Sequence, residues 1–422
     1  MGTLPQPVVD ALQFEKDNWA DGPATGDPFY TVSAETADAP PGKLLKVEAD
    51  VNTSRYLLRS STAISRIVYQ SETVNGSAVP VSAYILWPYS PRTHEGQYLI
   101  AAWAHGTSGL TTDSAPSSHK RIQQHFLAPY QLLLQGYVVV GTDYAGLGVG
   151  KTASGRPIVH EYLACPAHAN DVLYSVLAAR QAFPVLSEKF VVLGHSQGGG
   201  AAWAVAQRQA VTPISGYLGA VAISPPTRVT DETGEFLSIL IAGICPGLAS
   251  AFPDFKIGEV LTPECINLLN TMDQTEAGVS STIALLMNHD LLRPGWRQVT
   301  QLERYQQLIS NGGKAIGGPL LVIQGEADPQ IHYSVTTTAV KKTAESFPSA
   351  QLEYVSIPNV THDPALPASQ RLWMDWIADR FASREVKSGF QRSALRSARP
   401  LKSYQPEQNW YLKSATQFYQ IP

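Results

Sequence analysis

Residues 194–198 read Gly-His-Ser-Gln-Gly and set a serine hydroxyl, Ser196, within a G-x-S-x-G motif. The motif directly follows the apolar run 190–193 and opens the Ala-rich stretch 200–210. A sharp strand-to-helix turn of this kind exposes its serine, and the flanking glycines avoid clashes where strand and helix nearly touch. The spacing therefore predicts that Ser196 is the nucleophile of an acyl-transfer reaction.

A serine hydroxyl is a weak nucleophile near neutral pH, so it needs a neighbouring base and a group that orients that base. Asp328 lies just past the end of the apolar run 319–323. His362 lies in the loop after the run 352–357. In sheets that carry such a turn, the partners follow the order serine, acid, histidine and meet at the carboxyl edge. We therefore predict that Asp328 orients His362 and that His362 takes the proton of Ser196.

Other titratable residues near these loops leave alternatives open. Glu326 is a second candidate acid, although it lies nearer the end of the preceding strand. His332 is a second candidate base, but it follows Asp328 by only four residues and so belongs to another loop than the expected base. Asp363 adjoins His362 and can hardly orient that ring from the next position. Chain order and strand context favour Asp328 and His362.

Cleavage of an ester places negative charge on the former carbonyl oxygen, which two fixed N–H donors must stabilise. The residue after the nucleophile supplies one donor, here Gln197, and the loop after the third strand supplies the other. That loop is the segment 104–109, Ala-His-Gly-Thr-Ser-Gly, in which we take the backbone N–H of Thr107 as the second donor. A plain tight turn at this place is the alternative.

A glycine-rich segment, 141–148, follows the apolar run 137–140. It completes neither a G-x-G-x-x-G pattern nor a Lys-Ser/Thr pattern, so phosphate binding is not indicated. We expect a loop at the rim of the site instead. In it, Tyr144 would contact the substrate near the oxyanion loop, and Asp143 would hold backbone N–H groups.

The elements that position these residues are predicted from apolar runs and helical periodicity. Short, continuous apolar runs suit parallel strands buried on both faces. They occupy residues 98–104, 137–140, 190–193, 218–223, 319–323 and 352–357. An alternating run at 79–87 predicts a half-buried strand. Helix-like stretches occupy residues 167–183, 200–210, 335–346 (capped by Ser334) and 368–382. This alternation predicts an α/β fold, a mostly parallel sheet flanked by helices.

The connection between residues 223 and 319 is far longer than a helix with short loops requires. It has helical patterning and contains the apolar stretch 236–252, in which we expect Leu240 to contact the substrate. We therefore predict an inserted helical cap. The predicted units are an N-terminal arm of little regular structure (1–60), two core segments (61–224 and 316–386), the cap (225–315) and a C-terminal tail (387–422) whose aromatic residues pack on the parent domain.

Composition excludes several classes of protein. The 422 residues include 31 Lys and Arg against 35 Asp and Glu, which argues against nucleic acid as a partner. With 44% hydrophobic and 16% charged residues, the chain is expected to fold. The sequence contains no apolar run of 18 or more residues, so it predicts no membrane-spanning helix. We expect a monomer that needs neither a metal nor another cofactor.

The chain has three cysteines, Cys165, Cys245 and Cys265, too few for a disulfide framework or a zinc cluster. Cys245 and Cys265 could close a loop in an oxidising compartment. Three free, buried thiols are the alternative.

The motifs taken together resemble the secretory lipase family of α/β-hydrolases. The resemblance runs from about residue 27 to about residue 383. It is carried by the segments 194–198, 105–107 (HGT), 143–148 (D-Y-x-G-x-G), 27–30 and 41–46. It implies an α/β-hydrolase core with a helical cap before the acid-bearing strand, carboxylic-ester hydrolysis, and a catalytic set of Ser196, Asp328 and His362.

We therefore expect a serine esterase or lipase that cleaves a small-molecule or lipid ester with an apolar acyl part. The family often has G-Y-S-G-G where this chain has G-H-S-Q-G. Family members carry a secretion leader, whereas the first residues here lack the basic and apolar regions of a signal peptide. The expected compartment is the cytoplasm for the sequence as written, and secretion if a leader has been removed.

Two alternatives remain at this point. Fungal members of the group include deacetylases that trim small natural products, so an intracellular biosynthetic deacetylase, or an enzyme that transfers the acyl group or closes a lactone, is one of them. A non-catalytic, hydrolase-like binding protein is the other, but the complete triad argues against it.

Overall fold

The computed structural model describes residues 4–36 and 38–405. Its strands are β1 (Leu44–Glu48), β2 (Thr62–Glu72), β3 (Ala78–Pro88), β4 (Thr93–His94), β5 (Gln97–Ala104), β6 (Val138–Thr142), β7 (Leu186–His195), β8 (Tyr217–Ile223), β9 (Leu320–Gly325), β10 (Leu352–Ile357) and β11 (Phe390–Ala394). Its α-helices are α1 (Gln6–Lys16), α2 (Pro129–Leu134), α3 (Cys165–Ala182), α4 (Gln197–Val211), α5 (Leu237–Ala251), α6 (Pro263–Thr275), α7 (Val279–Leu286), α8 (Thr300–Ile309), α9 (Tyr333–Ser346), α10 (Ala365–Ala368) and α11 (Gln370–Phe381).

The strands form one sheet in the order β1-β2-β3-β6-β5-β7-β8-β9-β10-β11, with β4 paired to β5. Neighbours among β1, β2, β3 and β6 pair antiparallel, as do β4 and β5. The pairs from β6 through β5 and β7 to β11, in the order given, are parallel. Parallel strands place their carboxyl ends at one edge, so the loops after β5, β7, β9 and β10 meet there. This arrangement confirms the predicted mostly parallel sheet flanked by helices.

Helices cover both faces of the sheet and so bury the central strands completely. Side chains of α3, α4 and α9, including Trp203, form one core with the sheet. Side chains of α2 and α11, including Trp373, form the other. The run 79–87 alternates because Val81 and Ala83 face the first core while Tyr84 faces the second. The expectation of a half-buried strand was therefore wrong, because helices and loops cover both of its sides.

The N-terminal segment contains more regular structure than its composition suggested. Helix α1 buries Val8, Ala11 and Leu12, which share one face, and β1 adds an edge strand to the sheet. The Glu15 carboxylate on α1 accepts hydrogen bonds from the backbone N–H groups of Gly278 and Ser281 (both 3.0 Å) at the start of α7. The prediction that this arm has little regular structure was therefore wrong for α1 and β1. Partners distant in the chain hold α1 in place.

Helices α5 to α8 occupy the connection between β8 and β9 and share a core with α1 and the segment 162–167. Ile241, Ile244 and Leu248 of α5 lie in that core, whereas Ile239 and Leu240 are only partly buried. None of the described helices combines the length and apolar character needed to cross a membrane. Cys165, Cys245 and Cys265 are all free and buried, so the loop between the last two is not closed by a disulfide.

The start of α9 and the C-terminal tail also differ from the predictions. Helix α9 begins at Tyr333, so Ser334 lies within its first turn and does not cap it. Residues 390–394 of the tail pair in parallel with β10 and extend the sheet. The tail aromatics were predicted to pack on the parent domain, but Phe390 and Tyr404 are exposed. The aromatics at positions 410, 411, 418 and 419 lie outside the described residues.

Candidate active site

Ser196 occupies the turn between β7, which ends at His195, and α4, which begins at Gln197. Its backbone has φ 56° and ψ −123°. Residues other than glycine rarely adopt this backbone conformation, and those that do are often found at functional sites. A Cβ on Gly194 would lie 1.9 Å from the carbonyl oxygen of Gly198, and one on Gly198 would lie 1.8 Å from that of Ala104. The turn thus requires both flanking glycines and brings Gly198 against the end of β5.

Asp328 and His362 meet on the loops after β9 and β10. The distance from His362 Nδ1 to Asp328 Oδ2 is 2.7 Å, and both residues are buried. Asp328 Oδ1 accepts the backbone N–H groups of Gln330 and Ile331, each at 2.9 Å. The buried His362 Nε2 has no hydrogen-bond partner within the described structure, and His362 lines the same cavity as Ser196.

The electrostatics of this pair favour charge on both partners. Burial lowers the pKa of His362, but the Asp328 carboxylate, with smaller contributions from Asp363 and Glu232, outweighs burial and raises the pKa to about 9. Burial raises the pKa of Asp328, because it disfavours the charged carboxylate. His362 and the two backbone N–H groups outweigh burial and bring this pKa below its ordinary value. The arrangement is suited to stabilising an imidazolium ion.

The cavity beside Ser196 has a volume of about 110 Å³. Its polar lining includes Thr107, Gln123 and Gln124. Side chains from the start of α5 and from α7 form an apolar wall. That wall comprises Phe236, Ile239, Leu240, Val279 and Ile283. A cavity with both polar and apolar lining suits a substrate whose reacting group is polar and whose remainder is not.

The loop predicted to supply an oxyanion donor is held by residues distant in sequence. Gln124 Oε1 accepts the backbone N–H of Gly106 at 2.9 Å, and Gln123 Nε2 donates to the carbonyl of Thr107 at 3.3 Å. The Thr107 hydroxyl lies 3.0 Å from the hydroxyl of Tyr162. Thr107 therefore lies in a rigid loop at the cavity, beside the helix that Gln197 begins.

Tyr144 does not reach the cavity, contrary to the expectation that it contacts substrate. It is fully buried, and its hydroxyl donates to the carbonyl of His105 at 3.0 Å. This bond ties Tyr144 to the loop after β5. Asp143 is buried beside it and accepts the backbone N–H of Ser117 at 2.8 Å. Leu240, the other predicted substrate contact, lines the cavity.

The alternative acid and bases occupy other places. Glu326 is exposed to solvent. The ring of His332 bonds to Glu232, with 2.9 Å between Nδ1 and Oε2. Asp363 lines the cavity, but its Oδ1 lies 3.8 Å from His195 Nε2, whose ring has a pKa lowered to about 4 by burial. Of the candidate acids and bases, Asp328 and His362 form the direct pair beside Ser196.

A buried polar cluster behind Gln197 was not anticipated. The side-chain Nε2 of Gln197 lies 3.1 Å from Nε2 of His160 and 3.1 Å from Nε2 of His168. Burial lowers the pKa of both rings to about 3, so they are neutral and each can accept a hydrogen bond from the amide. No local pattern marks these histidines, since 29 and 37 residues separate them from Gln197.

The fold and the nucleophile turn define the protein as an α/β-hydrolase. The chain matches the secretory lipase family over residues 113–389 and belongs to that family. A search of curated proteins found no match. Family membership confirms the resemblance noted in the sequence and supports hydrolysis of carboxylic esters.

Solved structures share the fold at low sequence identity. Lipase A of Candida antarctica in its closed state is 17% identical, with a TM-score of 0.73 over 89% of this chain and 91% of that chain. The rice cell wall degrading esterase LipA of Xanthomonas oryzae is 17% identical, with a TM-score of 0.62 over 82% of this chain and 100% of its own. A putative hydrolase of Legionella pneumophila is 16% identical, with a TM-score of 0.66 over 82% and 100%.

Proposed function

We propose that the protein is a serine carboxylic-ester hydrolase with an apolar acyl-binding wall. The observation that carries this proposal is the 2.7 Å contact between His362 and Asp328 beside a cavity that Ser196 also lines. A nucleophile and a base that line one cavity, with an acid that orients the base through its other ring nitrogen, are the parts that acyl transfer requires.

In the proposed reaction, Ser196 attacks the ester carbonyl while His362 Nε2 takes the hydroxyl proton. Asp328 holds Nδ1 of the ring and stabilises its cation. The backbone N–H groups of Gln197 and Thr107 bind the oxyanion. His362 then gives its proton to the leaving alcohol, and a water molecule activated by the same ring releases the acid from the acyl-enzyme.

The small volume of the cavity and its apolar wall favour a short or medium acyl chain. The same acyl-enzyme could pass its acyl group to an alcohol or close a lactone, and an acetylated natural product would also fit this description. A series of nitrophenyl esters of increasing chain length, assayed beside acetylated natural products, tests the proposal. Release of acid without added alcohol identifies hydrolysis, whereas turnover only with an alcohol acceptor identifies transfer.

Leu240 is predicted to set the preference for acyl length. Each CH₂ group that the wall buries contributes about 0.8 kcal/mol, or roughly four-fold in affinity, until the cavity is full. Leu240→Asp should therefore reduce kcat/KM on medium esters several-fold more than on acetyl esters. Leu237→Asp is the matched control, because Leu237 is also partly buried on α5 but does not line the cavity.

Equal losses of Leu240→Asp on short and medium esters, together with a lower melting temperature, would contradict this role. They would mean that Leu240 contributes to the packing of α5 rather than to the acyl wall.

The raised pKa of His362 predicts an alkaline pH dependence. The base must be neutral to accept the serine proton, so kcat/KM should fall as the pH drops below the pKa of His362 in the free enzyme. Because Asp328 raises that pKa toward about 9, the midpoint should lie well above the ordinary 6.5 of histidine. Profiles of kcat/KM for a short ester, measured with substrate far below KM, give this midpoint. A midpoint at or below 6.5 would contradict the proposed electrostatics.

A further inference from the structure

We propose that Glu232 is a positioning residue of the site, a second buried carboxylate that stabilises the cationic form of His362, and that His332 keeps Glu232 ionised. The inference deepens the proposed function and rests on it. It concerns a residue in the segment between β8 and α5, outside the serine, acid and histidine of the triad.

Glu232 is enclosed in a way that is unusual for a carboxylate without a paired Lys or Arg. The residue is 1% exposed. Its Oε2 accepts the backbone N–H of His332 at 2.8 Å and lies 2.9 Å from Nδ1 of the same ring. Its Oε1 is buried and has no hydrogen-bond partner within the described structure. A buried carboxylate with hydrogen bonds to only one of its two oxygens lowers the stability of the fold, so its presence here calls for an explanation.

The position of Glu232 supplies that reason. His332 follows Asp328 on the loop between β9 and α9, so the bonds to His332 tie Glu232 to the loop that carries the catalytic acid. Ser224, at the start of the segment that leads to Glu232, donates its hydroxyl to the carbonyl of His362 at 3.2 Å. The segment after β8 is therefore bonded to the loops of both Asp328 and His362.

Glu232 acts on the pair through its charge. The four hydrogen bonds to Asp328 from Gln324, Gln330, Ile331 and His362 already satisfy both of its oxygens. Burial lowers the pKa of His362, Asp328 does most to raise it, and Asp363 and then Glu232 add smaller electrostatic contributions in the same direction. The other ionisable ring against His362 is His195, whose pKa burial lowers to about 4 and which is therefore neutral.

His332 decides whether that charge is present. Burial raises the pKa of Glu232 to about 7, and the Asp328 carboxylate raises it as well. The two N–H groups of His332 oppose this rise. Without the ring donor, Glu232 would be neutral over a wider pH range, and His362 would lose one of the charges that favour its protonation.

The chemical consequence is a shift in the pH at which the base becomes available. A neutral residue at position 232 favours neutral His362, so the midpoint of the kcat/KM profile should move to lower pH. For Glu232→Gln we expect a shift of roughly half a pH unit or more, because the two groups interact through a poorly solvated interior. A purely structural role of Glu232 would reduce the plateau rate and leave the midpoint unchanged.

The experiment compares pH profiles of four variants with that of the wild-type protein. Glu232→Gln should show the full shift to lower pH. His332→Phe removes the ring donor but keeps the backbone N–H, and it should show a smaller shift in the same direction. His332→Asn retains a side-chain N–H at the place of Nδ1 and should restore the wild-type midpoint. Glu235→Gln is the matched control, since Glu235 is exposed three residues further along the same segment.

The pH dependence of the rate at which a fluorophosphonate labels Ser196 gives a second readout. It reports only on molecules with a folded site, so a poorly folding variant still yields a midpoint. A wild-type profile that titrates, with an unchanged midpoint in Glu232→Gln, would overturn the role of Glu232 alone. A wild-type protein with neither turnover nor labelling would contradict the proposed function itself.

Discussion

Ser196→Ala should abolish ester hydrolysis, with a fall in kcat on the order of 10⁴-fold to 10⁶-fold. Losses of this size follow when a reaction that passes through an acyl-enzyme loses its nucleophile, while the oxyanion donors and substrate binding remain. The strained backbone of Ser196 and its place in the cavity motivate the prediction. Initial rates on a short nitrophenyl ester measure the loss.

A fluorophosphonate probe gives an independent readout of the same assignment. It should label the wild-type protein at one site and leave Ser196→Ala unlabelled. Ser334→Ala is the matched control, because Ser334 is exposed on α9 and should keep both labelling and turnover. Undiminished labelling of Ser196→Ala would show that the nucleophile lies elsewhere.

His362→Ala and Asp328→Asn should each reduce kcat by several orders of magnitude, roughly 10³-fold to 10⁵-fold. Removing the ring removes the base. Asparagine presents its amide in place of the carboxylate that accepts from Nδ1, so the ring loses the tautomer that the reaction needs. The double variant should be about as slow as the slower single variant, because residues that act as one unit have non-additive effects.

A comparison with His332→Asn distinguishes the proposed base from the alternative base, His332. At a pH on the plateau of the wild-type profile, His332→Asn should keep most of its activity. A damaging His332→Asn beside a harmless His362→Ala would assign the base to the other loop. Additive losses for His362→Ala and Asp328→Asn would mean that the two residues act independently, despite the 2.7 Å contact between them.

The parts of this protein that the sequence predicted are those governed by local chemistry. Continuous apolar runs indicated the buried parallel strands, since such a strand needs apolar side chains on both faces. The glycines at 194 and 198 indicated the nucleophile turn, because only a residue without a side chain fits there. Asp328 and His362 could be proposed from their places directly after strands whose ends meet at one edge.

Other features depended on residues that meet only in the folded chain. The alternation of the run 79–87 fits a strand buried on one face, and it also fits a strand whose two faces pack into different cores. The first was predicted, and only the packing on both faces shows that the second applies. Helix α1 was missed because composition outweighed the spacing of Val8, Ala11 and Leu12, and its Glu15 finds its partners more than 260 residues away. No local pattern could announce such a contact.

The same distinction separates the groups proposed to react from those proposed to tune them. Tyr144 was placed near the right loop, but only the packing shows that it lies behind His105 and away from the cavity. The bonds of Gln197 to His160 and His168, and of Glu232 to His332, join separate elements of the chain, and only the tertiary structure brings these together. The sequence by itself determined which groups could react, because turn and strand chemistry is local. The tertiary structure decided their burial and charge, because both depend on what packs against them from every side.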